Sequence, residues 1–257
     1  LALRFGQNTN ELMVNIVTAY EDLDALVPFI QMLVDKFPEV TSVVNNINTR
    51  KADVSFGERE ILLHGKPIIN ERLKDLSFQI SANSFFQTNS LMAEKLFDVI
   101  LESAELKGDE IVYDLYCGTG SISLFLAKRA KFVYGFDIIV SSIENAEQNA
   151  IVNNIQNIDF NVANLDSFFY TNRSNKYPNA DVVIVDPPRA GMHKKMTQYL
   201  PKLRAKKIIY VSCNPSTQAR DAQILKSYNY ELEKLSVVDM FPHTPHVETV
   251  GVFKKSK

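Results

Sequence analysis

Ile111-Val112-Tyr113-Asp114-Leu115-Tyr116-Cys117-Gly118-Thr119-Gly120-Ser121 reads as an apolar strand, a glycine turn and the first residue of a helix. Gly118 and Gly120 remove the Cβ where backbone has to approach a ligand, and a helix N-terminus adds its positive dipole end. The six-residue dinucleotide fingerprint is absent, because no third glycine stands at the required spacing. The Gly-Lys-Ser/Thr ending of a phosphate-binding loop is absent too. A glycine turn alone says little, so the reading depends on what surrounds it.

Outward from this turn, strands and helices alternate. Strands are expected at Phe132 to Asp137, Ile158 to Ala163, Ala180 to Asp186 and Lys207 to Ser212, and finally at Leu232 to Asp239 and Glu248 to Phe253. Helices are expected at Leu91 to Leu106, Ser121 to Arg129, Ser141 to Asn153, Lys194 to Leu203 and Thr217 to Ser227. Such alternation predicts an α/β domain with a parallel sheet, helices on both faces, and ligands beyond the carboxyl ends of the strands. Residues 1 to about 75 have another rhythm. There Glu11 to Thr18 and Thr41 to Asn48 read as strands, Leu23 to Phe37 as a helix, and Ile61 to Ile69 as a hairpin turning at His64-Gly65. The expectation is a small α+β domain over 1–75 and a catalytic domain over 76–257.

Asp137 ends the strand after the glycine turn, 23 residues beyond Asp114. A carboxylate there can accept hydrogen bonds from both hydroxyls of a ribose. With Asp114, Gly118 and Gly120 it suggests an adenosine cofactor without a pyrophosphate, and S-adenosylmethionine fits. The plainer alternative is that the glycines only turn the chain and Asp137 caps a helix. Val182-Val183-Ile184-Val185-Asp186-Pro187-Pro188-Arg189 puts another acid at the end of a buried strand, with two prolines stiffening the exit. Cys213 follows Lys207 to Ser212 and precedes Asn214-Pro215, so a strand delivers a thiol to a fixed point and the chain turns away at once. That makes Cys213 a candidate nucleophile. A buried, inert thiol is the alternative.

The 257 residues carry a formal net charge of -2, with 46% hydrophobic and 23% charged residues, as in an ordinary globular protein. Such a balance excludes non-specific coating of nucleic acid, so any such binding has to come from local patches. Three stand out: Arg189 with Lys194 and Lys195; Lys202, Arg204, Lys206 and Lys207; and Lys254, Lys255 and Lys257. Each is also readable as solvated surface charge. No apolar run approaches the roughly 20 residues of a membrane span. Two cysteines make no disulfide framework, and the default compartment is a reducing cytoplasm. The start at Leu1 inside a strand-like segment suggests a piece of a longer protein.

Asp186-Pro187-Pro188-Arg189-Ala190-Gly191, Tyr210-Val211-Ser212-Cys213-Asn214-Pro215 and Thr244-Pro245-His246-Val247-Glu248-Thr249-Val250 together resemble the RNA uracil-5-methyltransferases. Ser84-Phe85-Phe86-Gln87-Thr88-Asn89 and the Asp114 to Gly120 loop join the match, which spans residues 78 to 250. The resemblance implies a Rossmann-like methyltransferase domain on a mixed, mainly parallel seven-stranded sheet. It implies Cys213 as nucleophile and Glu248 as general base. Gln87, Tyr116, Asp137 and Asp186 would contact S-adenosylmethionine beside the Gly118–Gly120 turn, and Asn164 would sit near the adenine. Asp137 stands where the family usually has a glutamate, and Asn164 where members often carry an acid. RNA is the implied partner, ribosomal RNA ahead of transfer RNA, for a cytoplasmic monomer. The family's N-terminal OB-like domain and four-cysteine iron–sulfur cluster have no counterpart in this sequence, whose two cysteines cannot build that cluster. Residues 1 to about 75 would be its central, RNA-gripping domain.

The chemistry calls for a Cys213 thiolate, and hence for a thiol pKa lowered by nearby donors or by a cation such as Arg189. Phe85, Phe86 and Tyr116 could stack on an extruded base. His243 and His246 with Glu248 do not form a standard metal motif; no metal is expected, and these histidines would orient Glu248 or contact RNA. Cys117 is a second candidate nucleophile, though inside the cofactor turn it should face the cofactor. Two other functions compete: an amino-group methyltransferase, whose fourth strand would end in Pro-Pro-Tyr rather than Pro-Pro-Arg, and a non-enzymatic RNA-binding module on the same fold.

Overall fold

A computed structural model of the chain describes residues 1–49, 57–165 and 177–256. Lys257 of the third basic patch lies outside them. The chain divides into two compact units, Leu1–Ser90 and Leu91–Lys257. The first therefore takes in residues 76–90, which the sequence reading grouped with the catalytic domain.

The first unit opens with β1 (Ala2–Gly6), β2 (Glu11–Thr18), α1 (Leu23–Lys36), β3 (Val40–Ile47) and β4 (Arg59–Gly65). These strands form a four-stranded sheet in the order β1-β2-β3-β4. The β2–β3 pair is parallel and α1 is its crossover. Asp22 starts that helix by accepting from Ala25 N at 3.1 Å, and Ile30 is its buried anchor against Val14, Val40 and Val43. β5 (Ile68–Leu73) and β6 (Leu76–Ser81) form a separate two-stranded sheet. The hairpin expected at His64-Gly65 is thus corrected. β4 pairs with β3 and β5 with β6, so the glycine turn joins two sheets instead of closing one ladder. Gly65 does turn the chain, at φ +71°, and a Cβ there would meet Thr41 O at 2.0 Å.

After α2 (Ser90–Ala104), the second unit alternates strand and helix. Its elements are β7 (Ile111–Leu115), α3 (Ser121–Ala127), β8 (Phe132–Asp137), α4 (Val140–Val152), β9 (Ile158–Val162) and β10 (Val182–Val185). There follow α5 (Lys194–Tyr199), a 3-10 turn at Leu200–Leu203, β11 (Lys207–Ser212), α6 (Pro215–Lys226), β12 (Tyr230–Val238) and β13 (Glu248–Lys255). The seven strands lie in the order β12-β13-β11-β10-β7-β8-β9. All neighbours are parallel except at β13, which runs antiparallel to both β11 and β12. The expected mixed, mainly parallel seven-stranded sheet is present.

Because side chains alternate along a strand, the register separates the sheet's two faces. Tyr113, Leu115, Val183, Val185, Ile208, Tyr210 and Phe253 share one face, and their buried side chains pack with Met192, Met196 and Leu225 into one apolar core. The other face carries the acids.

Candidate active site

Ser212 and Thr249 are the last partners along the β11–β13 ladder. Cys213 is the next residue on one strand and Glu248 the preceding residue on the other. The register therefore sets the two opposite each other across the sheet. Ile184 pairs with both Asp114 and Ile209, and Ile209 with Val252. Stepping by twos from that row, Asp186, Cys213 and Glu248 lie on the same face as Asp114. Asp114 also pairs with Gly135, which puts Asp137 on that face too. Residues spread over 134 positions of sequence thus converge on one rim. The antiparallel β13 is what brings Glu248 to it, because its amino end lies where the parallel strands have their carboxyl ends.

Charge links these groups. Asp114 is fully buried; its Oδ2 accepts from Ser123 Oγ at 2.5 Å, and its Oδ1 has no partner. Burial, reinforced by Asp137, raises its pKa to about 7. Burial likewise raises Glu248 to about 7. Asp186 is pushed well above the carboxylate range by burial first, then by Glu248 and Asp114. Cys213 is half-buried, and its thiol is raised by burial, then by Glu248 and Asp186, against the opposing pull of Arg189. This corrects the expectation of a lowered thiol pKa. Arg189 acts in the expected direction, but burial and two acids outweigh it.

The Gly118–Gly120 turn is held by hydrogen bonds to the end of β8. Phe136 O accepts from both Tyr116 N (2.9 Å) and Cys117 N (3.0 Å), and Asp137 Oδ2 accepts from Gly118 N at 2.9 Å. Asp137 Oδ1 accepts from Ile139 N at 2.9 Å, so this carboxylate also fastens the entry to α4. Tyr116 sits at φ +68°, a region costly for a residue with a Cβ. Gly118 sits at φ +53°, and a Cβ there would meet nothing within 4 Å. The backbone at Gly118 thus faces open space, and Asp114 Oδ1 is a buried acceptor left unpaired; both features fit a polar ligand carrying a hydrogen-bond donor. Gly120, buried, is the residue before α3. Asn164 follows β9 and is exposed. Gln87 belongs to the first unit, as do exposed Phe85 and buried Phe86. Phe86 packs on Phe78 with ring centroids 5.5 Å apart, a core contact. His243 and His246 are both exposed, and His246 Nδ1 lies 3.2 Å from Arg189 Nη2.

Cys213 is fixed by its neighbours. Asn214 caps α6 through Ser216 N at 3.1 Å, with Pro215 at the first helical position. Ser212 Oγ donates to Asn214 O (3.0 Å) and accepts from Asn214 N (3.1 Å). The sequence reading missed Gln218. Its Nε2 donates to Tyr210 O at 2.8 Å, and its Oε1 lies 3.0 Å from Thr249 Oγ1, tying α6 to the end of the β11–β13 ladder. An amide four residues after a cap asparagine, facing the sheet, was the available signal.

The sequence profile described as tRNA (Uracil-5-)-methyltransferase matches residues 49–257. An uncharacterised RNA methyltransferase of Chlorobaculum tepidum is 40% identical over 259 residues, covering 100% of this chain and 54% of the relative. One from Staphylococcus aureus is 43% identical over 253 residues, covering 98% and 55%. The chain thus spans about half the length of the curated relatives it matches. Among solved structures, the Pyrococcus abyssi tRNA (uracil-54, C5)-methyltransferase in complex with S-adenosyl-L-homocysteine is 38% identical, with a TM-score of 0.77 over 98% of this chain and 58% of that one. The Methanocaldococcus jannaschii tRNA m1G37 methyltransferase, at 13% identity and a TM-score of 0.61, shares the fold alone. The chain belongs to the tRNA (Uracil-5-)-methyltransferase family.

Proposed function

We propose, from that family membership, that the chain methylates carbon 5 of a uridine in RNA through a covalent adduct on Cys213. The observation that carries the reading is the opposition of Cys213 and Glu248 across the β11–β13 ladder, at the rim that also bears the Gly118–Asp137 turn. Open space at Gly118 and the orphaned Asp114 Oδ1 favour S-adenosylmethionine as the ligand of that turn, whose ammonium group is a donor suited to Asp114. Gln87, Tyr116, Gly118, Gly120, Asp137, Asn164 and Asp186 are the residues assigned to holding it. When bound, it supplies an electrophilic methyl group.

Carbon 5 of uracil is too weak a nucleophile to take that group unaided. Cys213 first gives its proton to solvent, and its thiolate Sγ adds to carbon 6. The ring electrons move onto carbon 5 and the 4-carbonyl oxygen as an enolate, and carbon 5 becomes methylated. Glu248, as carboxylate, then removes the hydrogen of carbon 5 as a proton. The electrons left behind restore the 5,6 double bond and expel the Cys213 thiolate. Glu248 suits this step because a base is most effective with a pKa near the working pH, and burial has brought it to about 7.

Ribosomal RNA is the target that the resemblance puts first. Transfer RNA is the second reading, favoured by the Pyrococcus abyssi enzyme named for uracil 54 of tRNA. Residues 1–75 are assigned to gripping the RNA, and 76–257 to catalysis, in a cytoplasmic monomer. Among the described residues no helix is long and apolar enough to cross a membrane, and no group of three or more His, Cys, Asp or Glu residues is placed to hold a metal ion.

Mass mapping of 5-methyluridine in ribosomal and transfer RNA, from cells with and without the gene, decides between the targets. With RNA carrying 5-fluorouridine, the wild-type protein should form a covalent complex and Cys213→Ala none. Methylation by Cys213→Ala would overturn the mechanism.

A further inference from the structure

Arg189 is the cation that opposes the acids around Cys213, yet it is exposed and sits on the loop after β10. Something has to hold that loop. Its far end, residues 190–192, is fastened to α6 by two adjacent residues. Asp221, fully buried, accepts from Met192 N at 3.0 Å and from the Tyr210 hydroxyl at 2.8 Å through Oδ2. Its Oδ1 accepts from Arg220 Nε at 2.9 Å. Arg220 Nη2 turns back to the loop and donates to Met192 O (3.1 Å) and Ala190 O (3.3 Å).

Gly191 completes the clamp. Its φ is +78°, and a Cβ there would lie 2.6 Å from Arg220 Nη2 and 3.0 Å from Asp221 Oδ2. The loop backbone is therefore pressed directly against the pair. At the near end, Asn214 Nδ2 donates to Arg189 O at 3.2 Å, and Asn214 is the residue after Cys213. A buried carboxylate with three donors is costly to leave half-satisfied, so the geometry is stiff.

We propose that Asp221, acting with Arg220 through the Gly191 turn, is a positioning residue that holds Arg189 beside Cys213 and thereby sets how readily the thiol ionises. The groups facing the thiol are Glu248 from β13, Asp186 after β10 and Arg189 on the loop; His246 meets Arg189 from the loop before β13. The catalytic consequence rests on the proposed function, whereas the positioning itself does not.

The sign of the effect separates positioning from direct electrostatics. Removing a negative charge at Asp221 would, by itself, make Cys213 more acidic. Releasing Arg189 would make it less acidic. The test is the pH profile of Cys213 carbamidomethylation by iodoacetamide in the intact protein, without RNA or cofactor, read on the Cys213 peptide by mass spectrometry. Asp221→Asn and Arg189→Gln should each slow the reaction about three- to tenfold at neutral pH by moving the midpoint upward. The double variant should go no further than either single one. If Asp221→Asn does not fold, Gly191→Ala, which changes no charge but puts a Cβ 2.6 Å from Arg220 Nη2, takes its place with the same expected shift. An unmoved or lowered midpoint, or effects of the two changes that add, overturns the proposal. Because this readout needs no methyl transfer, the uracil reading can fail separately, through methylation by Cys213→Ala.

Discussion

Cys117 and Cys213 occupy corresponding places: each follows the carboxyl end of a parallel strand, β7 or β11, in a tight turn that opens a helix. Their surroundings differ. Cys117 is buried, and its thiol is raised by burial, then by Asp114 and Asp137. Cys213 is half-exposed, opposite a titrating acid, with a cation pulling its pKa back down. The shared position therefore does not distinguish the two thiols. Access, a facing acid and one arginine do.

Three experiments can break that contrast. The largest effect should come from Glu248→Gln, which keeps the shape of the side chain and removes the base. Turnover should fall by about 10²–10⁴-fold, as for loss of a general base, while the covalent RNA complex still forms and lasts longer. Unchanged turnover would mean that facing Glu248 is not what distinguishes Cys213. A smaller effect is expected in thiol chemistry. In the folded protein, iodoacetamide should modify Cys213 at least about tenfold faster than Cys117, with the gap closing in denaturant. Equal rates would leave Cys117 as a rival.

A third effect is in stability, where each turn has its own acid. Asp114 beside Cys117 and Glu248 beside Cys213 keep their protons to about pH 7 when folded, against ordinary values of 3.8 and 4.5. Between those limits the folded chain binds more protons than the unfolded one. Their contribution is therefore complete below about pH 4 and is lost as pH rises through 7. Denaturant melts should show a decline on the order of a few kcal/mol across that window, with Glu248→Gln removing one share of the slope and Asp114→Asn the other. A flat profile would contradict the burial of both acids.

The alternating core of the second unit was legible because its strands are short, apolar and bounded by turns; β8 and β11 have the limits that their sequence suggests. The place of β13 was not legible, since nothing local tells an antiparallel strand that inserts beside β11 from one that adds at an edge. Without it, Glu248 could be paired with Cys213 only by resemblance. The hairpin at His64-Gly65 failed because a glycine turn marks a change of direction, not which strands then pair. The raised Cys213 pKa was unreadable because Asp186 and Glu248 reach the thiol only through the register. Asp221 and Arg220 look like any solvated helix pair in sequence, and only the buried carboxylate reveals the clamp.

β13 is the last strand of the sheet in sequence, yet it lies between β11 and β12. Until it enters, β11 is an open edge whose Ile208, Ile209, Tyr210 and Val211, all fully buried in the finished fold, have no neighbour on that side. A chain halted at this stage would carry Cys213 without Glu248 opposite it, and a sticky strand ready to pair with another molecule. Bringing Glu248 opposite Cys213 and covering the open edge of β11 are thus one event, completed by the last strand of the sheet to be reached along the chain.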